Sequence, residues 1–145
     1  MDLREREKLF RRTNEALANA PLLLVEGLRD ERALREMGFQ SPVLRANDKP
    51  ERVAQRVLEL TPTGEPVLLF DFDHEGERKL RDYRQALESA GARCDGRLRL
   101  QLKWLTGQRH IEDLPPAWEE LREGFARGSR ERVSRKVKNY GKNIH

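Results

Sequence analysis

The chain has 145 residues, about 24% of them Leu, Ile, Val or Phe, which is one domain's length with enough apolar content to fold rather than stay disordered. No apolar run approaches the roughly 20 residues of a membrane helix, the first twenty residues mix acids with bases, and a lone Cys94 with scattered His74, His110 and His145 excludes disulfides and local zinc pairs, so a cytoplasmic protein is expected. Charged residues make up 37% of the chain, and its positive excess sits at the C-terminus, where seven bases face one acid from Arg127 onward.

Residues 2–19 place Leu3, Phe10 and Leu17 at seven-residue spacing and predict a leading helix that Pro21 ends. LLLVE at 22–26 predicts a buried parallel strand closing on a carboxylate and Gly27. A short helix follows, with Ala33, Leu34 and Met37 on one face and Gly38 as its stop. A short strand is expected over 42–46, then a helix from Pro50 with Val53, Val57, Leu58 and Leu60 inward. VLLFDFD at 67–73 predicts the second buried strand, and a long helix follows over 75–90. RLRLQLKW at 97–104 alternates strictly and predicts a half-exposed strand, with Arg97, Arg99 and Lys103 on its polar face and Trp104 on its apolar one. A last helix is expected from Pro115 or Pro116, with Trp118, Leu121 and Phe125 inward. Both tryptophans are expected in the core, although either could stack on a base. Strands alternating with helices predict an α/β fold: a mostly parallel sheet of about four strands, helices on both faces, and additional N- and C-terminal helices.

Three acids stand at the carboxyl ends of the two buried strands: Glu26, Asp71 and Asp73. In a parallel sheet those ends share one edge, and carboxylates gathered there repel unless a hard cation such as magnesium neutralises them. For both aspartates to reach one ion the chain must turn after Asp71, and Gly76 can supply that turn and let a phosphate approach the following helix. The plain alternative is that the aspartates only cap a helix.

Residues 26–34 (EGLRDERAL) resemble the E-G-x-x-D-x-x-A-L opening of the Toprim domain, and residues 71–76 (DFDHEG) resemble its D-x-D-x-x-G signature, in that order and about 45 residues apart. The resemblance covers about residues 20–105 and implies a compact, Rossmann-like nucleic-acid enzyme fold. It implies that Glu26 serves as general acid or base and, with Asp71 and Asp73, belongs to a magnesium site in which manganese can substitute. Gly27 and Gly76 would be phosphate-side turn residues, Asp30 an orienting acid, and Glu75 an outer partner. RHIEDL at 109–114 is similar to the segment after the last strand in ribosomal RNA maturases, which would bring His110 and Glu112 near the metal edge; otherwise Asp113 caps the last helix.

The chain has no room for a topoisomerase gate or a primase polymerase unit, no phosphate-binding loop of an ATPase, and none of the zinc cysteines of recombination mediators. The implied function is magnesium-dependent cleavage or phosphoryl transfer on RNA or DNA, most like the maturases. The rival readings are a non-catalytic nucleic-acid or ribonucleoprotein binding module and a purely structural protein. The expected organisation is a leading helix (1–20), a Toprim-like domain (21–126) and a basic tail (127–145). That tail is expected either as a frayed, disordered end or as a phosphate-binding arm carrying Arg130, Arg132, Arg135, Lys136, Lys138 and Lys142. RNA against DNA and the oligomeric state stay open.

Overall fold

The computed structural model describes the backbone of residues 1–142 and the side chains of residues 1–137. Three strands, β1 (Leu23–Val25), β2 (Val43–Arg45) and β3 (Val67–Leu69), form a parallel sheet in the order β2-β1-β3. Leu24 at its centre pairs with Leu44 on one side and Leu68 on the other. Around the sheet stand helices α1 (Leu3–Ala18), α2 (Leu28–Glu36), α3 (Pro50–Leu60), α4 (His74–Ser89), α5 (Leu98–Thr106) and α6 (Leu114–Lys142), with a 3-10 turn at Ile111–Asp113.

Residues alternate across the sheet and therefore build two cores. Leu23, Val25, Val67 and Leu69 meet Phe10, Leu17, Leu34, Leu102 and Trp118 on one face. Leu22, Leu24, Leu68 and Phe70 meet Val53, Val57, Leu80, Tyr83 and Leu87 of α3 and α4 on the other. Because both faces are covered, β1 and β3 read as unbroken apolar runs in the sequence. The first core closes on an aromatic group, with Trp118 fully buried and its ring centroid 4.5 Å from that of Phe10 and 6.2 Å from that of Phe39.

The connection β1-α2-β2 runs to one side of β1 and the chain then crosses back to β3, so the switch point of the sheet lies between β1 and β3. Glu26 follows one of these strands, and Asp71 and Asp73 follow the other.

Three expectations are corrected. Residues 97–104 are not a fourth strand but most of α5; beside β3 a single parallel bridge, Val67 to Asp95, takes the fourth strand's place. The leucines there fit both periods, since Leu98, Leu102 and Leu105 also line one helical face and are buried. The ends decide: the Asp95 carboxylate accepts from the amides of Arg97 (3.0 Å) and Leu98 (2.9 Å), and Gly107 ends the helix with φ +68°. Trp104 falls off the leucine stripe and is 65% exposed rather than core. The basic segment from Arg127 is no separate tail either, for α6 runs through it unbroken to Lys142. The side chains of Lys138 and Lys142, and residues 143–145, lie outside the described residues. Among the described residues no helix is long and apolar enough to cross a membrane.

Candidate metal centre

Asp71 and Asp73 lie just beyond β3, on the turn into α4. Asp73 caps α4, its Oδ1 accepting from the Gly76 amide at 2.7 Å. Asp71 Oδ1 accepts from the Ile111 amide at 2.8 Å, which ties the 3-10 turn to the strand end. Each aspartate thus commits one oxygen to a backbone N–H and keeps Oδ2 free. Both free oxygens face the same nitrogen: His110 Nδ1 stands 3.4 Å from Asp71 Oδ2 and 3.6 Å from Asp73 Oδ2.

The turn that sequence reasoning requires is made by close packing. An ideal Cβ on Gly76 would fall 1.9 Å from the Asp71 carbonyl oxygen, so only glycine lets α4 start this near the strand. Gly27 has no such constraint. Its φ of −155° is ordinary extended backbone and a Cβ there would meet open space.

Arg99 holds the strand end from behind. It is 4% exposed, donates through Nε to the Phe70 carbonyl (2.8 Å) and through Nη2 to the Asp71 carbonyl (2.5 Å) and Glu77 (2.8 Å), and lies 4.7 Å over the Phe72 ring. The expected nucleic-acid contact at Arg99 is therefore overturned by burial: this guanidinium fixes the backbone between the aspartates. Arg97 and Lys103 remain exposed at the two ends of α5.

Glu26 reaches the same edge but pairs with Lys79 of α4, and the cluster with ligand spacing comprises Asp71, Asp73 and His110 without it. Lys79 is held more basic by that hydrogen bond. Asp30 sits buried on the first turn of α2. Burial first, then the charges of Asp71, Glu26 and Glu112, push its carboxyl up to about 6, against a smaller pull downward from the Gly27 backbone. Glu112 faces Arg29 at 3.9 Å. Glu75 turns outward to Arg78 and Lys79, and its carboxyl is lowered by the Arg78 hydrogen bond.

The donor set fits a divalent cation. Asp71, Asp73 and His110 each offer one ligand atom, all within 4.8 Å of one another, a looser set than the roughly 3.0–3.4 Å between ligand atoms about 2.1 Å from a common ion, so a bound ion would draw the side chains slightly inward. The nearby acids Glu26, Asp30 and Glu112 add negative charge at this edge, partly offset by Lys79 and Arg29, and so favour a cation over a bare phosphate.

Of the basic positions on α6, Arg130, Arg135 and Lys136 are exposed, whereas Arg132 is committed to Glu7 of α1 at 2.7 Å. Glu7 also accepts from Ser129 at 2.9 Å, so this contact docks the basic half of α6 onto the body. Sequence reasoning missed Arg99 and Lys79 as site-building residues, because each acts through a contact with a residue far away in the chain.

The fold and site define a parallel α/β domain with an acidic, histidine-bearing cluster at its switch point. The chain is 31% identical over 121 residues to a UPF0292 protein of Pyrococcus furiosus, covering 82% of this chain and 88% of that one. It is 35% identical over 94 residues to a UPF0292 protein of Thermococcus onnurineus, covering 63% and 69%. The chain belongs to the UPF0292 family. No family model matches it. A solved structure of a protein from Aquifex aeolicus superposes with a TM-score of 0.59 at 30% identity, covering 77% of this chain and 97% of that one.

Proposed function

We propose that the edge formed by Glu26, Asp71, Asp73 and His110 is a divalent-cation centre for phosphodiester cleavage or phosphoryl transfer on nucleic acid, with magnesium or manganese as the ion. The observation that carries this reading is the pair of free Asp71 and Asp73 oxygens turned on one point at the switch of a parallel sheet. The Toprim-like spacing of Glu26, Asp71 and Asp73 supports it, and the ribosomal RNA maturases are the nearest functional analogy. When bound, the cation offsets charge on the reacting phosphate.

The chain's own groups supply the rest. Asp71 and Asp73 hold the cation, oriented by the Ile111 and Gly76 amides. Glu26 takes or returns a proton at the bridging or leaving oxygen. Lys79, kept charged by Glu26, offsets negative charge on the neighbouring phosphate oxygens. Asp30 and Glu112 add to the field that draws the cation in, and the open backbone at Gly27 leaves room for the substrate. Arg97, Lys103 and the exposed bases of α6 offer phosphate contacts. The reading places the protein in the cytoplasm, acting on RNA or DNA in RNA processing or a related step.

One observation favours a second reading. Glu26 is engaged by Lys79 and stands outside the cluster of possible ligands, as suits a binding module that clamps nucleic acid or a ribonucleoprotein through its cation without turnover. The test is a cleavage assay with magnesium and with manganese on structured RNA, single-stranded DNA and duplex DNA, comparing wild type with Asp71→Asn/Asp73→Asn. Cleavage lost in the double variant is the expected result. Cation-dependent binding without cleavage supports the second reading, and neither binding nor cleavage sinks both.

A further inference from the structure

His110 has no counterpart in an all-carboxylate magnesium site, yet its Nδ1 stands 3.4 and 3.6 Å from the two free aspartate oxygens. We propose that His110 is a third protein ligand of the cation, bound through Nδ1, and that its nitrogen shifts the site's preference from magnesium towards a first-row transition ion such as manganese. This rests on the reading of Asp71 and Asp73 as the cation-binding pair.

Three observations carry it. His110 Nδ1 stands 3.4 and 3.6 Å from the two Oδ2 atoms, longer than a good N–H···O hydrogen bond, and the three residues each offer a ligand atom within 4.8 Å of the others, close enough for a small inward shift to bring them onto one ion. The backbone on either side of His110 is also held in place. The Phe72 amide, between the aspartates, donates to the Arg109 carbonyl at 2.7 Å, and the Ile111 amide donates to Asp71 at 2.8 Å, so the residues flanking His110 are both bonded to the segment that carries the carboxylates. The side chain is, finally, partly open to solvent rather than sealed in the core, so an ion can reach it. Magnesium takes oxygen ligands and dehydrates reluctantly, whereas imidazole suits transition ions.

A histidine that only neutralises the two aspartates makes the opposite prediction, because removing it would free the carboxylates and tighten cation binding. The experiment is a titration of metal-free full-length protein with manganese, reading free ion by electron paramagnetic resonance. It is repeated in competition with magnesium and followed by pulsed measurements of nitrogen coupling to the bound manganese. Wild type, His110→Ala, His110→Asp and Asp71→Asn are compared, with circular dichroism checking the fold of each.

In wild type the bound manganese is expected to couple to one nitrogen. His110→Ala is expected to lose that coupling and to bind manganese at least about tenfold more weakly, the lower end of what loss of a ligand-supporting group costs. Magnesium affinity should fall less. His110→Asp should restore cation binding without nitrogen coupling and with less preference for manganese. Unchanged or tighter manganese binding in His110→Ala, or no coupling in wild type, overturns the proposal while leaving the aspartate pair standing if Asp71→Asn still abolishes binding. A wild type that binds neither ion, like Asp71→Asn, overturns both.

Discussion

Gly76 lies against the backbone of Asp71 so closely that no side-chain carbon fits between them: a Cβ would stand 1.9 Å from the Asp71 carbonyl oxygen and 2.5 Å from its carbon. The start of α4 and the end of β3 are therefore one unit. Gly76→Ala is expected to destabilise the protein by at least the roughly 1–3 kcal/mol of ordinary overpacking, since backbone rather than a flexible side chain must move. It should also displace Asp71 from His110 and weaken cation binding. Denaturant midpoints and manganese titration check both effects, and an Ala variant of unchanged stability would contradict this packing.

Arg99 is expected to be structural and not replaceable by lysine. Arg99→Leu removes the donor from the Phe70 and Asp71 carbonyls and should cost about 2–4 kcal/mol, the scale of stranding buried polar groups. Arg99→Lys keeps the charge but loses the planar fork and should recover only part of that. Equal stability of wild type and Arg99→Lys in urea unfolding would show that charge alone matters.

Asp30 makes the metal-free protein less stable as pH rises. Its folded pKa, about 6, lies above the unfolded value of 3.8, so the penalty is absent below about pH 4, grows between the two values and is complete above 6. Asp30→Asn is thus expected to stabilise the protein at pH 8, by about 1–2 kcal/mol once solvent screening is allowed for, and to change little at pH 3.5. The same substitution should weaken cation binding by lowering the local negative field. A pH series of thermal unfolding on both proteins, with and without manganese, reads these opposite signs.

Glu7 has the reverse dependence. Burial raises its pKa, but hydrogen bonds from Ser129 and Arg132 and the charges of Arg132 and Arg11 outweigh this and leave it below its ordinary 4.5. Its stabilising contribution is present above the unfolded value and is lost as pH falls through the folded one. Glu7→Gln is expected to mimic the acid form at neutral pH, loosening α6 near Ser129 while α4 and the sheet keep their protection. Hydrogen exchange along α6 measures this, and unchanged protection around residues 129–133 would refute it.

What could be read from the sequence follows from how local each signal is. LLLV and VLLF announce buried parallel strands because both faces of the sheet are covered, and the acids that end them fall at one edge as expected. The leading helix and the helices after β1, β2 and β3 follow from apolar spacing closed in turn by Pro21, Gly38, the TPTGEP loop and Gly91. Over 97–104 the leucines satisfy two periods at once, and the decision rests on the Asp95 cap and Gly107, outside the pattern that was read. Trp104 was misplaced for the same reason. Past Arg127, α6 is docked through Ser129 and Arg132 onto Glu7, more than a hundred residues earlier, a contact no local pattern shows. In the sequence His110 is visible only as a neighbour of the expected metal edge; its meeting with both aspartates is a tertiary fact.

The 29-residue helix α6 begins directly after the 3-10 turn bonded to Asp71 and bears its exposed bases in its second half. At a rise of 1.5 Å per residue, Arg130 to Lys136 stand about 24–33 Å along its axis from Leu114. Under the proposed function it would act as a measuring rod attached to the Asp71–Asp73 edge. Under that reading, a nucleic acid short of that reach would touch the cation edge or the bases of α6 but not both, so the shortest strand bound with full salt sensitivity would report the length of the rod.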